Sequence, residues 1–568
     1  MISDLILFVV YLVTLILLAM PLGQYMANVF SGEKTRLDFL FQPVEKAIYQ
    51  LAGIDDTKEM VWREYAQNLL AFNLLGIATV YLIQGLQEYL PLNPENLASV
   101  TPWHLAFNTA VSFVTNTNWQ AYAGESTMSY FTQMTALTVQ NFVSAAVGLA
   151  VAVAFIRGLT RKTTDYIGNF WVDLVRSVVW VLLPLAIVFT LILVQQGVLQ
   201  NLSSYVTIDT LEGAKQTVAM GPVASQEAIK MLGVNGGGFF NANSAHPFEN
   251  PTSLSNFLQM LSIFLIPTGV VFAFGHFVRD KRQSYGIMGA MLLLFVGMLA
   301  LAYTSESYGN PMIGNLGVSG STVMEGKEVR FGTGGSTLFA TVTTAASCGA
   351  VNAMHDSLTP LGGLATMLQM MLGEVVVGGV GAGFYGMMMY VLLTVFIVGL
   401  MVGRTPEYLG KKIEASEMKM ATLAILIPSV TILLGSAMSC VAEAGVASIA
   451  NSGPHGLSEI LYAFASGAGN NGSAFGGLTV NTPFYNIMLA TAMLMGRFGV
   501  ILPVLAIAGS MAQKKTSPPG PGTFSSTGIL FIALLSGVVL IVGALTFLPA
   551  LSLGPIVEQL LMLQGATF

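Results

Sequence analysis

The sequence predicts an all-α polytopic membrane protein, and its composition, its apolar runs and an internal repeat all point to that class. Of the 568 residues, 54% are hydrophobic and 9% are charged, whereas soluble proteins carry about 25% charged residues. Continuous apolar runs at 5–20, 261–277 and 529–548 approach the roughly 20 residues that cross a hydrocarbon core. A membrane β-barrel is disfavoured, because its strands alternate apolar and polar residues over about ten positions.

The first apolar run is expected to be retained as a transmembrane helix. Only Asp4 lies near its start, without a basic segment, and no small-residue cleavage site follows, so the run does not fit a removed signal peptide. The two cysteines, Cys348 and Cys440, lie in apolar surroundings and are too few for a metal cluster or a disulfide framework.

Basic residues fall in five short clusters, and cytoplasmic loops carry such an excess. If all five clusters lie in the cytoplasm, the chain must cross the membrane an even number of times between one cluster and the next. Two apolar runs lie between each successive pair of clusters, in agreement with this requirement. The predicted topology therefore has ten transmembrane helices, with both termini outside the cytoplasm. The clusters are Lys34, Arg36 and Lys46; Arg157, Arg161, Lys162 and Arg176; Arg279, Lys281 and Arg282; Arg404, Lys411, Lys412 and Lys419; and Lys514 and Lys515.

The other loops contain more acidic than basic residues, namely Glu88, Glu95, Glu125, Asp209, Glu212, Glu227, Glu249, Glu306, Glu325, Glu328, Asp356, Glu443 and Glu459, against Lys215, Lys230, Lys327 and Arg330. An acidic outer face would raise the local concentration of cations. The alternative is that these residues only solvate exposed loops, and the sequence leaves both interpretations open.

The same order of elements occurs four times at a spacing of about 110–125 residues. Each time, a polar stretch precedes a short motif such as YFTQM or NFLQM and an apolar helix that ends at basic residues. All four units have the same orientation, so the repeat is parallel. The polar stretches are VTNTNWQ (114–120), VNGGGFFNANS (234–244), SCGAVNAMHDS (347–357) and GNNGSAFGG (469–477).

A short segment precedes each polar stretch, at 103–114, 222–233, 334–346 and 456–468. These segments are too short to span a bilayer, and their length is typical of re-entrant helices. Proline marks three of the predicted starts: Thr101 and Pro102 as N-cap and first helical residue, and Pro222 and Pro454 in the first turn.

The elements divide the chain into four repeats between two terminal segments. The N-terminal helix with its cytoplasmic loop covers 1–66, the repeats cover 67–162, 163–282, 283–412 and 413–515, and the C-terminal helix covers 516–568. The predicted fold therefore has four pseudo-symmetric parallel M1–P–M2 repeats, with re-entrant pore helices around a central selectivity filter.

Uncharged polar loops at membrane depth predict an ion path. Irregular backbone survives there only if it is buried in protein or lines water. Four such loops on one axis would direct carbonyl oxygens at a common centre and replace the water shell of a monovalent cation, and the half-helix C-termini would add partial negative charge. Glycines at 236–238, 349 and 472 suit the backbone angles of a carbonyl ring. NGGGFF alone would fit a flexible turn; the repeat favours the filter.

Motifs for other chemistry are absent from the sequence or weak. It contains no phosphate loop, no DKTG phosphorylation motif, no HExxH and no GxSxG. No ATP site is therefore expected, energy must come from a partner or an ion gradient, and an intramembrane enzyme is disfavoured. His355-Asp356 fits a metal or acid–base pair or, as we favour, a place in the outer loop beyond the third filter segment; Asn471-Gly472-Ser473 matches a glycosylation acceptor only by coincidence.

Six motifs in a fixed order carry a resemblance to a known family. They are VSFVTNTNWQ (111–120), NGGGFFNANS (235–244), TTAASCGAV (343–351), GRTPEYLGKKI (403–413), NNGSAF (470–475) and GRFGVI (496–501). With them, the chain resembles the KdpA family, the potassium-binding subunits of bacterial potassium-transporting ATPases in the superfamily of K+ transporters, from about residue 70 to residue 515.

The resemblance implies the K+-selecting, ion-translocating subunit of a high-affinity ATP-driven uptake complex, with K+ as the transported ion and no hydrolytic activity of its own. It implies three partners, which are a P-type ATPase subunit (KdpB), KdpC and the small KdpF, in the lipid bilayer of a bacterial inner membrane, and no nucleic acid. A self-sufficient K+ or Na+ channel-like transporter of the same architecture is the alternative function.

The resemblance also implies the filter residues, most of them acting through backbone carbonyls. They are Thr115, Asn116, Thr117, Asn118 and Gln120; Val234, Asn235, Gly236 and Asn243; Ser347, Cys348 and Gly349; and Asn470, Asn471 and Gly472.

The second helix of the third repeat departs from its siblings. It covers 361–402, too long for one span, and glycines at 378, 379, 381, 383 and 386 interrupt it. In the family this region lies where the ion leaves the filter, which implies a gate or side exit at Gly378, Gly379, Gly381 and Gly383; close helix packing by small residues is the alternative.

Glu374 and Arg497 are ionisable residues in apolar surroundings and therefore candidates for the same gate. Arg497 would repel cations below the filter or pair with Glu374. The loop at 403–414 is expected either to contact partner subunits or to act as an ordinary positive-inside anchor.

Overall fold

The computed structural model describes residues 2–315, 317, 323–401, 403, 405–517 and 524–566, so Arg404 of the fourth basic cluster lies outside it. Within these residues, ten helices are long and apolar enough to cross a membrane, which confirms the predicted number, and the chain is a multi-pass membrane protein. The spans are Ile2–Ser31, Trp62–Tyr89, Thr132–Thr160, Phe170–Gln196, Ser253–Phe277, Lys281–Ile313, Ala382–Met401, Ala415–Val441, Pro483–Gln513 and Ile529–Leu563.

Each repeat also contains a short helix between its two spanning helices. These half-helices 1 to 4 are Trp103–Val114, Val223–Leu232, Gly332–Ala345 and Gly453–Ala468, which confirms all four predicted segments. Pro454 lies in the first turn, as predicted. The prediction for Pro102 and Pro222 is wrong by one residue: both are N-cap residues, because their ψ angles of 166° and 60° are not helical.

The second spanning helix of repeat 3 is interrupted, as its glycines predict. It consists of Pro360–Met371 and Ala382–Met401, joined by residues 372–381, which we call the helix-break loop. Positive φ angles at Gly373, Glu374, Val377, Gly378 and Gly381 cannot continue a right-handed helix.

The most buried spanning helices are the second helices of repeats 1 and 2, and they lie at the centre of the molecule. In Thr132–Thr160 and Ser253–Phe277, 83% of the most apolar stretch is buried, against 22% in Ile2–Ser31 and Trp62–Tyr89. The less buried helices expose large apolar side chains such as Leu17 and Leu74, as expected of a lipid-facing surface.

The basic loops that follow Ser31, Thr160, Phe277, Met401 and Gln513 meet on one face, which we call the basic face. Strand β1 (Met60–Val61) pairs antiparallel with β2 (Tyr166–Gly168), and the Ser526 hydroxyl donates to Gln283 Oε1 at 3.0 Å. A helix over Asp38–Ala52, which the sequence analysis missed, packs on this face through Glu45, whose carboxylate accepts from Arg176 and Trp180.

Strands are few among the described residues. Besides β1 and β2, β3 (Val206–Asp209) pairs with β4 (Lys215–Val218), and β5 (Glu407–Tyr408) pairs with β6 (Lys411–Lys412), all antiparallel. Short helical turns lie at Gly124–Thr127, Asn243–Ala245, Pro311–Asn315, His355–Ser357 and Glu443–Val446.

Candidate functional site

Three of the half-helices hold their polar loops by the same backbone hydrogen bond, and half-helix 3 holds its loop through a side chain. Backbone N–H groups of Thr117, Asn235 and Asn471 donate to carbonyls five residues earlier, at Ser112 (2.9 Å), Lys230 (2.9 Å) and Ser466 (2.8 Å). In repeat 3 the Thr343 hydroxyl donates to the Cys348 carbonyl, again across five residues. Thr117, Asn235, Cys348 and Asn471 are therefore equivalent positions of the four repeats.

The residues on either side of this position adopt left-handed backbone in three of the loops. The φ angles are 65° and 56° at Asn116 and Asn118, 53° and 85° at Val234 and Gly236, and 53° and 92° at Asn470 and Gly472. Alternation of left- and right-handed residues turns successive carbonyls toward one side of the chain, the geometry of a carbonyl filter. Val234 is β-branched, so this conformation costs about 1–3 kcal/mol.

The four polar loops form a closed ring of hydrogen bonds, each loop bonding to the next. The bonds are Asn116 Nδ2 to Val234 O (3.0 Å), Gly349 N to Asn235 O (3.2 Å), Asn471 Nδ2 to Ala346 O (2.6 Å) and Asn470 Nδ2 to Thr117 Oγ1 (2.9 Å). The geometry thus brings together the residues that the sequence places far apart.

At two glycines of this ring, backbone atoms of a neighbouring loop leave no room for a side chain. A Cβ atom at Gly472 would lie 1.7 Å from the Thr117 carbonyl oxygen, and one at Gly236 would lie 1.9 Å from Gly349 N. Such distances are far below van der Waals contact, so glycine is required here by close approach as well as by positive φ.

Three of the sequence-predicted residues lie outside the ring. Gln120 joins loops 1 and 2, because its side chain donates to Gly238 O and accepts from Gly238 N, both at 2.9 Å. Asn243 lies apart from the ring, in the wall of a cavity. Ser347 lies beneath it, and its hydroxyl donates to Glu374 Oε2.

A cavity of about 420 Å³ opens above the ring, on the face opposite the basic one. All four polar loops contribute to its wall, through residues that include Asn118, Gly237, Gly349 and Gly472. None of the described residues that line it is ionisable, so the approach to the ring is polar but uncharged.

The helix-break loop lies directly below the ring. Gly378 N donates to the Ala345 carbonyl at 3.0 Å, and Glu374 and Arg497 line a cavity of about 40 Å³ together with Asn470. Arg497 donates to the Ser144 carbonyl at 2.9 Å. Among the described residues the two charged side chains form no ion pair, so the pairing considered from the sequence is not formed in this structure.

Comparison with known proteins identifies the family of this chain. The family model described as "Potassium-transporting ATPase A subunit" (KdpA) matches residues 9–560. This chain belongs to the KdpA family. Proteins named "Potassium-transporting ATPase potassium-binding subunit" from Mesorhizobium japonicum and Brucella anthropi are each 58% identical to it, over 97% and 98% of this chain and 97% of each relative. The crystal structure of the potassium transporter TrkH from Vibrio parahaemolyticus gives a TM-score of 0.49 at 13% identity, over 74% of this chain and 83% of that one.

Several acidic residues that the sequence analysis placed in exposed loops are buried in this KdpA-family chain. Lys230 bonds to Glu227 (2.6 Å) and Glu249 (2.7 Å), and Lys327 bonds to Glu306 (2.7 Å), all in side chains at most 1% exposed. Glu249 also accepts from Phe240 N at 2.7 Å, next to loop 2. These carboxylates hold loops in place, so neither free solvation nor cation attraction describes them.

Sequence reasoning missed the polar residues behind the ring. Ser144 donates to Asn116 Oδ1 (2.8 Å) and accepts from Asn235 Nδ2 (3.1 Å), and Ser466 Oγ accepts from Gly472 N (3.0 Å). One signal was available: Ser112, Thr343 and Ser466 each stand five residues before the equivalent loop position.

His355 and Asp356 lie in a short helical turn at the end of the third polar stretch, beyond its predicted filter residues. His355 Nδ1 hydrogen bonds to the Tyr462 hydroxyl at 2.7 Å. Asp356 bonds to His455 Nε2 at 3.0 Å, and His455 Nδ1 bonds to Glu558 at 2.7 Å. His455, which lies between these two carboxylates, was not singled out from the sequence.

Proposed function

We propose that this chain binds and selects K+ as the ion-translocating, non-hydrolytic subunit of an ATP-driven uptake complex. The closed ring of four neutral loops carries the proposal. Such a ring can replace the water shell of a dehydrated cation, and the family's curated relatives are named potassium-binding subunits.

The proposed filter consists of the ring, which comprises Thr115 to Asn118, Val234 to Gly236, Cys348 with Gly349, and Asn470 to Gly472, together with Ser347 directly beneath it. Within it, the amide nitrogens of Asn116, Asn470 and Asn471 already donate to neighbouring loops. The Oδ1 atoms of Asn118 and Asn235 have no hydrogen-bond partner among the described residues, so they are available to K+ beside the backbone carbonyls. Gln120 and Asn243 would act at the mouth rather than as ligands.

The helix-break loop is the proposed gate or side exit. Glu374 beneath Ser347, the glycines at 378, 379, 381 and 383, and Arg497 surround the point where an ion leaving the ring would pass. Arg497 places a positive charge there, which disfavours free passage of cations.

Energy would come from a separate P-type ATPase subunit (KdpB), with KdpC and the small KdpF completing the complex. The excess of basic residues supports a cytoplasmic orientation of the basic face, hence uptake from the opposite side, termini outside and residence in a bacterial inner membrane. The loop 403–414 on this face, of which residue 404 lies outside the described structure, is the proposed contact with partner subunits.

The test is ATP hydrolysis by the purified complex in K+, Rb+ and Na+. We expect stimulation by K+ well above that by Na+. Gln120→Arg, which puts a cation in the uncharged cavity, should raise the K+ concentration for half-maximal stimulation by about tenfold or more, or ~1.4 kcal/mol, whereas Gln120→Met should change it far less.

Three outcomes would contradict the proposal. Equal stimulation by Na+ would remove K+ selection. Unchanged K+ dependence in Gln120→Arg would remove the filter assignment. Selective K+ flux through the isolated chain in vesicles, without ATP, would favour a self-sufficient transporter.

A further inference from the structure

A second polar cavity lies far from the ring, at the basic-face end of three helices. We call it the three-helix cleft; its volume is about 200 Å³. It lies between the N-terminal helix, the second helix of repeat 2 and the first helix of repeat 3. Its wall consists of Met20, Pro21, Gln24, Phe272, His276, Lys281, Ser284 and Tyr285.

The lining changes from apolar to cationic toward the basic face. Met20 and Phe272 lie one helical turn deeper than Gln24 and His276, and Lys281 is the first residue of its helix. A phospholipid in the adjacent leaflet presents its groups in the same order, with acyl chains deeper and phosphate at the interface.

The cleft also contains a buried polar group without a partner. Ser284 is 1% exposed, lines the cavity, and its hydroxyl has no hydrogen-bond partner among the described residues. An unsatisfied buried hydroxyl costs about 1–3 kcal/mol, and a phosphate oxygen in the cleft would accept from it.

The charge around the cleft is positive. Arg279, Lys281 and Arg282 surround a single acidic residue, Asp280, and are exposed. The Asp280 carboxylate caps the helix by accepting from Arg282 N at 3.0 Å. Lys281 forms no ion pair within the described residues, so its ammonium group is available to a ligand.

We propose that the three-helix cleft binds an anionic phospholipid, with the phosphodiester at Lys281, His276 and Ser284 and an acyl chain along Met20 and Phe272. Basic pockets between transmembrane helices recognise such headgroups. A partner's transmembrane helix is about 10 Å wide and does not fit a cleft of this volume. The proposal is independent of the ion bound at the ring.

The test is native mass spectrometry of the purified complex titrated with phosphatidylglycerol or phosphatidylcholine of matched chains. The wild type should retain phosphatidylglycerol at least fivefold more. The double variant Lys281→Ala/His276→Ala should lose this preference, and Ser284→Ala should weaken it. Lys46→Ala, an exposed lysine on the same face, should retain it.

Each other outcome overturns the proposal. Equal retention of both lipids, or a preference unchanged in the double variant, removes the site. Thermal stabilisation by inorganic phosphate alone, lost in the double variant, assigns the cleft to a free anion. Cross-linking of Met20→Cys to another protein of the complex assigns it to a protein contact. Melting temperature without lipid confirms that the variants are folded, and K+-stimulated ATP hydrolysis, measured separately, reports on the ion function.

Discussion

At the scale of single residues, the ring depends on glycines that do two things at once. Gly472 combines a φ of 92° with a Cβ position 1.7 Å from a carbonyl oxygen. Gly213, in the exposed turn between β3 and β4, has a similar φ of 81° but nothing within 4 Å of its Cβ position. A comparison of the two positions therefore distinguishes the cost of left-handed backbone, which both share, from the cost of a steric clash, which only Gly472 would have.

Gly472→Ala should abolish K+-stimulated ATP hydrolysis and lower the free energy of unfolding by more than backbone strain alone. Left-handed backbone costs an L-residue about 1–2 kcal/mol, and overpacking adds about 1–3 kcal/mol. Gly213→Ala should show only the first cost and keep full activity. Thermal unfolding and ATPase assays measure both; equal effects of the two variants would contradict the close approach.

His455 provides a prediction about pH. Burial lowers the pKa of His455, but hydrogen bonds to Asp356 and Glu558 outweigh it and raise the pKa to about 10. The nearby Glu459 carboxylate is occupied by the backbone N–H groups of Ala450 and Asn451. Because the folded pKa exceeds the usual 6.5 or so, the stabilisation is complete below about pH 6.5 and is lost as pH rises through about 10.

His455→Gln should therefore lower the melting temperature most at pH 6 and progressively less toward pH 10.5. The measurement is thermal unfolding of wild type and variant across this range. A melting-temperature difference that does not vary with pH would mean that the imidazole is not charged in the folded protein.

At the scale of elements, the half-helices and the helix break could be predicted from the sequence because both depend on local signals. Their lengths, a proline at three starts and a glycine cluster at 378–386 identify them before any contact is known. The end of each half-helix also marks the start of each polar loop, which is why the position of these loops could be predicted.

Other features of the elements depend on tertiary packing and were not predictable. The sequence suggests that three glutamates, Glu227, Glu249 and Glu306, are charged residues of exposed loops. Only the structure shows that they are buried in ion pairs with lysines. Asn243 lies nine residues after Val234, and nothing in that spacing indicates that the chain has already left the ring. The helix Asp38–Ala52 was not predicted because its 15 residues are too few to span a bilayer and give no long apolar run.

The helix-break loop and the helix that follows it yield a matched pair of variants. A Cβ at Gly379 would lie 2.5 Å from Ser347 Oγ, whereas one at Gly386 would meet its nearest atom at 3.4 Å. Neither glycine has positive φ among the described residues. The two positions thus differ in their contact with the residue beneath the ring.

Gly379→Ala should displace Ser347 and Glu374 and change passive K+ leak or the coupling of transport to ATP hydrolysis; Gly386→Ala should not. Ion flux into vesicles that contain the purified complex, with and without ATP, measures both quantities. If Gly379→Ala leaves leak and coupling at wild-type values, these glycines serve helix packing alone.

At the scale of the whole molecule, Lys411 connects the first repeat to the fourth. Its ammonium group, in a residue with 0% exposure, donates to the carbonyls of Gly158 (2.9 Å) and Met511 (2.7 Å) and to that of Arg161. These carbonyls lie at or just beyond the ends of the second helices of repeats 1 and 4, where a positive charge is favourable. One side chain therefore holds the seam between the first and last repeats.

Lys411→Met should lower the free energy of unfolding by about 3 kcal/mol or more, because hydrogen bonds from a charged donor contribute roughly 1.5–3 kcal/mol each. Lys412→Met, at the exposed neighbouring position, should stay within about 0.5 kcal/mol of wild type. Denaturant unfolding of the purified protein distinguishes them, and similar losses would mean that the seam is held elsewhere.

The uncharged wall of the 420 Å³ cavity has a consequence for the environment in which the molecule works. None of its described lining side chains takes up or releases a proton in the biological range. Acidification or alkalinisation of the surrounding medium would thus change the charge of no side chain in this wall. Any response to external acidity has to arise in groups outside this vestibule.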